Sequence, residues 1–284
     1  MLFYSMTVID SHHHFWQYTV REYGWINDSL ALLRRDFLPD DLRKVATAAG
    51  VDGVISVQAR QTLEETDWLL GFAERPENAQ FIRGVVGWVP LVSDQVSAEL
   101  DRLVDRKKLL AVRHVLQDEP NEYLARDDFN RGIGLLRHFG LRYDILIYER
   151  QLPAAIELVD RHPRQVFVLD HMAKPRIADG VISPWREGML DLARRPNVYC
   201  KISGMVTEAD HRSWTPAQLR PYAETAIEAF GPKRLMMGSD WPVCLLACDY
   251  GRWQSVVRDF ISTLSPDEQR RILGDTAQEA YGLG

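Results

Sequence analysis

Cysteine is scarce in this chain: three in 284 residues, at Cys200, Cys244 and Cys248. An odd, sparse set makes no disulfide framework and suits a reducing cytoplasm. Cys244 and Cys248 stand four residues apart and could share a helical face, but small buried hydrophobes are a simpler reading than a metal pair. Long apolar runs are also missing. Nothing approaches the roughly 20 consecutive residues of a membrane span, which argues against a membrane protein. The opening Met1-Leu2-Phe3-Tyr4 is apolar, yet no basic residue precedes it and it is far too short for a signal peptide. Met6 is a candidate alternative start. Positive charge is thin: the formal net charge is −6 and no Lys/Arg-rich run occurs. That argues against a nucleic-acid partner. Low-complexity stretches, linkers and close repeats are absent, and no Gly-rich phosphate loop follows the first apolar run. A dinucleotide-binding open sheet is therefore disfavoured.

What the chain does have is a rhythm. Hydrophobic residues make up 46% and charged residues 26%, ordinary for a soluble globular protein. The strand-like runs are "TVIDSHH" (7–13), "VDGVISVQA" (51–59), "FIRGVVGWV" (81–89) and "LLAVRHV" (109–115). They continue with "LRYDILI" (141–147), "QVFVLDH" (165–171), "NVYCKIS" (197–203) and "RLMMGSD" (234–240). Several are near-continuous apolar runs, as strands covered on both faces should be. Helical patterns lie between them. Pro39 with Asp40 and Asp41 starts one that Gly50 stops; Asp127 and Asp128 start another that ends by Gly140; Thr215-Pro216 opens a third that ends at Gly231. Eight strands, each followed by helix-capable sequence, predict a (β/α)8 TIM barrel in which residues 1–284 form a single domain.

Residues 8–16 read "VIDSHHHFW". Alternation along a strand sends His12 and His14 to one face and His13 to the other, so His13 is expected to pack or to act behind the site. Other polar residues also collect at strand C-terminal ends: Gln58, Arg113 and His114, Asp144, His171, Lys201 and Asp240. In a barrel that face carries the active site. His12, His14, His171 and Asp240 offer three imidazoles and a carboxylate. The set suits one zinc-like divalent cation with room for water, which would polarise a carbonyl or activate that water. The same groups can also act without metal, as oxyanion donors and a general base. Either use fits the donor set. A single ion is expected rather than a pair, because strand four ends in Arg113 and His114 and offers no bridging Lys or Glu. Arg113 and His114 cannot both face inward. Gln58, Arg113, His114, Lys201 and Trp25 are candidate substrate contacts. His138 and His162 read as surface residues, and His211 as a weak candidate for the pocket rim.

The motifs "IDSHHHFW", "VRHVLQDE", "YDILIYERQLP", "LDHMAKP", "CKISGMVTEAD" and "MGSDWPVCLL", six in order over nearly the whole chain, are similar to the sugar-lactonase branch of the amidohydrolase superfamily, near the bacterial L-fuconolactonases and L-rhamnonolactonases. The resemblance implies a (β/α)8 barrel that hydrolyses a sugar 1,4- or 1,5-lactone to the aldonic acid in sugar catabolism. It places the branch's first-strand His-x-His pair on His12 and His14, its sixth-strand histidine on His171 and its last-strand aspartate on Asp240. The residue between the paired histidines is often Gln in that branch and is His13 here. Related hydrolases bind zinc or another divalent ion at these positions, while some lactonases of the branch work without added metal. The expected partner is a small sugar lactone, with homo-oligomerisation open. The alternatives are a lactonase for carboxylated aromatic-degradation intermediates, a related decarboxylase, and a sugar-binding barrel without catalysis.

Overall fold

Each strand-like run becomes a strand. The computed structural model describes residues 7–283; Met6, the alternative start, lies outside them. The strands are β1 (Ile9–His13), β2 (Gly53–Val57), β3 (Ile82–Gly87), β4 (Leu109–Val115), β5 (Arg142–Leu146), β6 (Phe167–Leu169), β7 (Val198–Ile202) and β8 (Leu235–Met237). A helix follows each: α1 (Pro39–Ala48), α2 (Leu63–Ala73), α3 (Val96–Leu103), α4 (Asp127–Leu136), α5 (Leu152–Arg161), α6 (Trp185–Leu192), α7 (Pro216–Phe230) and α8 (Tyr250–Phe260). All neighbouring strands pair in parallel, in sequence order from β1 to β8. The ring closes just past the strand ends, where Asp240 N donates to His12 O (2.7 Å) and His14 N to Trp241 O (2.6 Å). This is the (β/α)8 barrel. Its closing seam runs through the residues singled out for chemistry.

Local signals start and stop the helices. Thr62 Oγ1 accepts from Glu65 N at the start of α2, and Asp249 Oδ1 accepts from Arg252 N at the start of α8. Each such cap is worth about 1 kcal/mol. At α7, Thr215 and Gln218 cap reciprocally and Gly231, at φ 63°, ends the helix where a Cβ would be strained.

Two features depart from the sequence rhythm. First, β6 and β8 are only three residues long, so His171 and Asp240 lie beyond their strands. His171, Met172, Ala173 and Lys174 all have positive φ, between 49° and 59°, and Asp240 has φ 58°. The chain bends inward over the barrel mouth at both places. Non-glycine residues hold such angles at a cost of about 1–3 kcal/mol each unless their surroundings enforce them. Second, the chain continues past α8 into α9 (Pro266–Arg270), a single wide turn (Arg271–Asp275) and α10 (Thr276–Tyr281). Ala277, Ala280 and Tyr281 of α10 join Ile9, Ile55, Val57, Val86, Val168 and Met236 in one buried cluster. The last helix thus plugs the floor of the barrel.

Candidate active site

A cavity of about 1120 Å³ opens at the C-terminal ends of the strands. His14, Arg113, His171 and Asp240 line its base; Trp25, Arg60, Gln61, Thr62, Gln117 and Lys174 are among its walls. The inward turns at His171 and Asp240 set the geometry of the base. Three imidazole Nε2 atoms face one carboxylate oxygen: Asp240 Oδ1 lies 3.3 Å from His14, 3.8 Å from His12 and 3.9 Å from His171. The other nitrogen of each ring is engaged from behind. His14 Nδ1 donates to Val57 O (2.8 Å), His171 Nδ1 pairs with Ser203 Oγ (2.8 Å), and His12 Nδ1 faces Asp170 Oδ1 (3.2 Å). Two glycines let the rings in. A Cβ at Gly238 would stand 2.8 Å from His12 Cβ, and one at Gly204 would stand 2.6 Å from His171 Nδ1.

Burial governs the protonation of these groups. It pushes His12 well below its usual range, and it pushes His171 down to about 4 although Asp240 and Asp170 oppose it. Both rings are therefore neutral near pH 7. Burial would raise Asp240, but His171, His14 and His12 outweigh it and hold the carboxyl well below its usual range. The Asp240 carboxyl is therefore ionised near pH 7.

The donor set fits a divalent cation. Because a carbonyl can only accept, His14 Nδ1 carries a hydrogen, which leaves Nε2 as the nitrogen turned toward Asp240 Oδ1. Ligand atoms of His12, His171 and Asp240 lie within 4.8 Å of one another, and outer hydrogen bonds on the ring nitrogens are the usual support of metal-binding histidines. His14 lies outside this tightest group of three but within reach of the same carboxylate oxygen.

Several expected substrate contacts are relocated. Lys201 is completely buried beneath the cavity, where Nζ meets Asp144 Oδ2 (2.6 Å) and Asp170 Oδ1 (2.9 Å). It does not line the cavity, because two carboxylates neutralise it inside the barrel. Gln58 is also completely buried, donating from Nε2 to Arg113 O (3.2 Å). Of the adjacent pair on β4, Arg113 faces inward, with Nη1 on Asp170 Oδ2 (2.9 Å) and Nη2 on Gln58 O (2.6 Å). His114 faces the opposite side, paired with Glu119 and stacked on Tyr123. Trp25 stands at the cavity mouth, half-exposed. His13 packs behind the site against Phe15 and pairs with Ser56 Oγ. His211 binds Thr207 O instead of lining the cavity, and His162 is half-buried against Asn130.

Other residues at the site have little sequence signal. Arg60, Gln61 and Lys174 sit on loops and Gln117 in a single 3-10 turn after β4, where no periodicity marks them. Glu65 supports one of these loops: its Oε2 accepts from the amides of Ala59 (3.0 Å) and Arg60 (2.7 Å). Asp170 did carry a signal, a carboxylate inside the apolar run "VFVLDH". Its place is behind His12.

Comparison with known proteins places this geometry. The amidohydrolase family model matches residues 9–283. The L-fucono-1,5-lactonase of Burkholderia multivorans is 40% identical over 289 aligned positions, covering 97% of this chain and 96% of the relative. The L-fucono-1,5-lactonase of Burkholderia ambifaria is 38% identical, covering 97% and 95%. A crystal structure of a Burkholderia multivorans amidohydrolase with bound zinc superposes with a TM-score of 0.92 at 39% identity, covering 98% of this chain and all of that one.

Proposed function

The chain belongs to the amidohydrolase family, and from that premise we propose that it hydrolyses a neutral sugar lactone to the aldonic acid, with L-fucono-1,5-lactone the first candidate. One observation carries the reading: an ionised carboxylate faced by three imidazole nitrogens at the base of a cavity large enough for a sugar ring. The two Burkholderia relatives, named for this lactone, support the choice.

The reaction needs a base, a place for oxyanion charge, and a proton for the leaving oxygen. Asp240 Oδ takes a proton from water as the water oxygen bonds to the lactone carbonyl carbon. Arg113, at the base of the cavity, stabilises the carbonyl oxygen as it gains charge, while the Nε2 atoms of His12, His14 and His171 converge on Asp240, where a cation would be held. Loss of one stabilising group of this kind typically costs about 3 kcal/mol. The bond to the ring oxygen then breaks, and Asp240 returns its proton there, leaving the free acid and a hydroxyl. A divalent cation, which His12, His14, His171 and Asp240 would hold, supplies Lewis acidity at this point when bound. Trp25 offers an apolar face to the sugar, while Gln61, Gln117 and Lys174 face the cavity as readers of its hydroxyls.

Among the described residues no helix is long and apolar enough to cross a membrane. The three cysteines are free and buried, which supports a reducing, cytoplasmic setting. The substrate class is tested by following L-fucono-1,5-lactone and a carboxylated muconolactone side by side by NMR, each against its spontaneous opening. Faster opening of the sugar lactone is expected. Preference for the carboxylated lactone would transfer the site to the other substrate class.

A further inference from the structure

The interior of a barrel of this type is ordinarily filled by layers of branched apolar side chains. Here the layer beneath the cavity is ionic. Asp144, Asp170 and Lys201 are completely buried, and Arg113 is nearly so. A buried ion-pair group contributes little net stability compared with apolar packing, so stability alone does not account for it.

The contacts have a direction. Tyr281, on the floor helix α10, donates its hydroxyl to Asp144 Oδ2 (2.7 Å). Lys201 Nζ reaches the same oxygen (2.6 Å) and lies 5.5 Å from the centre of the Tyr281 ring. The ammonium then meets Asp170 Oδ1 (2.9 Å), and that oxygen faces His12 Nδ1 (3.2 Å). Arg113 holds the other oxygen of Asp170 (2.9 Å). Asp144 Oδ1 has no partner among the described residues, so Oδ2 alone ties the tyrosine to the lysine. The helix carrying Tyr281 is tied to β5, where Arg142 Nε donates to Ala280 O (2.8 Å), and the turn before it packs on the segment leading into β1, where a side chain at Gly274 would collide with the Thr7 carbonyl.

We propose that Tyr281, Asp144, Lys201 and Asp170 form a positioning column that orients His12 from the floor of the barrel, making the last helix part of the active-site machinery. Asp170 Oδ1 and Lys201 Nζ each lie 3.2 Å from His12 Nδ1, so the column fixes the ring from behind and turns Nε2 toward Asp240, with Arg113 Nη1 3.4 Å from the same nitrogen. Lys201 holds Asp170 in register, and Tyr281 with Asp144 holds Lys201. None of these three touches the cavity lining, so they act through His12.

The role of Tyr281 in turnover rests on the lactonase reading; its role in metal affinity does not. Tyr281→Phe removes one hydroxyl and leaves the Asp144–Lys201 pair intact, which makes it the variant of choice. Two quantities are measured: affinity for Co2+ added to metal-free protein, read by visible absorption, and steady-state kinetics on L-fucono-1,5-lactone. Co2+ affinity and kcat are each expected to fall about 10-fold, the lower end of the loss seen for direct outer partners of metal-binding histidines, with KM unchanged. Asp144→Asn is expected to lower Co2+ affinity in the same way. A Tyr281→Phe protein that keeps wild-type Co2+ affinity overturns the proposal, even if its Tm falls, because packing alone would then be the role of the hydroxyl. If the parent protein fails to open any lactone, the lactonase reading fails while the Co2+ comparison still decides the column.

Discussion

Position along a strand tells which face a residue takes but not how deep it lies. His12 and His14 were readable because two-residue spacing turns His12, in β1, and His14, just past its end, to the same side. The same reasoning misplaced Lys201, which does point inward but one layer below the mouth, where Asp144 and Asp170 neutralise it. Gln58 fails likewise, its amide absorbed by the backbone of β4. Sequence does not show which polar group will find a buried partner, and that partner decides whether a residue meets substrate. Glu65 shows what such burial does at the level of one group. Burial raises its carboxyl from the ordinary 4.5 to about 7, although the amides of Arg60 and Ala59 oppose the rise. Below about 4.5 both folded and unfolded chains hold the proton. Between there and about 7 the unfolded chain releases it while the folded chain keeps it, so stability falls as pH rises, by about 3 kcal/mol across the window. Glu65→Gln is expected to flatten that fall in urea unfolding measured on both sides of the window. An unchanged slope would show that Glu65 ionises normally in the fold.

At the scale of elements, eight strand–helix units were legible because β-branched runs and capped amphipathic stretches alternate without ambiguity. The short lengths of β6 and β8 were not. "VFVLDH" and "RLMMGSD" continue as apolar or small-residue runs, and nothing local marks where the chain must turn inward. The turn is enforced by what it packs against. Gly204, at φ 65°, leaves the space that the His171 ring occupies. Gly204→Ala is therefore expected to strain the β7–α7 loop and displace His171 together. Stability should fall by about 1–3 kcal/mol, and turnover should fall more than the loss of folded protein explains. A variant with a lower Tm but full activity per folded molecule would mean that His171 tolerates the shift.

At the scale of the molecule, the seam that closes the barrel and the base of the cavity are the same residues. His12, His14, Asp240 and Trp241 exchange the backbone hydrogen bonds that join the first strand to the last. Order in the seam and order in the site are thus linked. A cation held by side chains from both ends of the seam should stabilise the whole fold, since a ligand that binds only the folded chain shifts unfolding by mass action. Chelation is expected to lower Tm and turnover together, and zinc to restore both; a Tm indifferent to chelation would separate the cation from the seam. The floor helix was the largest feature the sequence rhythm left without a role. Residues 266–281 follow the last strand–helix unit, and the rhythm ends before them. Their contribution comes from tertiary contacts, with Tyr281 reaching Asp144 across a separation of 137 residues.

The most direct measurement is the rate of L-fucono-1,5-lactone opening, followed by proton release with a pH indicator, for the wild-type chain and Asp240→Asn against the spontaneous background. Wild-type protein should open the lactone well above background. Asp240→Asn should stay folded by circular dichroism and lose turnover by about 10²–10⁴-fold, the usual worth of a positioned general base. Near-normal turnover by folded Asp240→Asn would contradict the assignment of the base and the chemistry built on it.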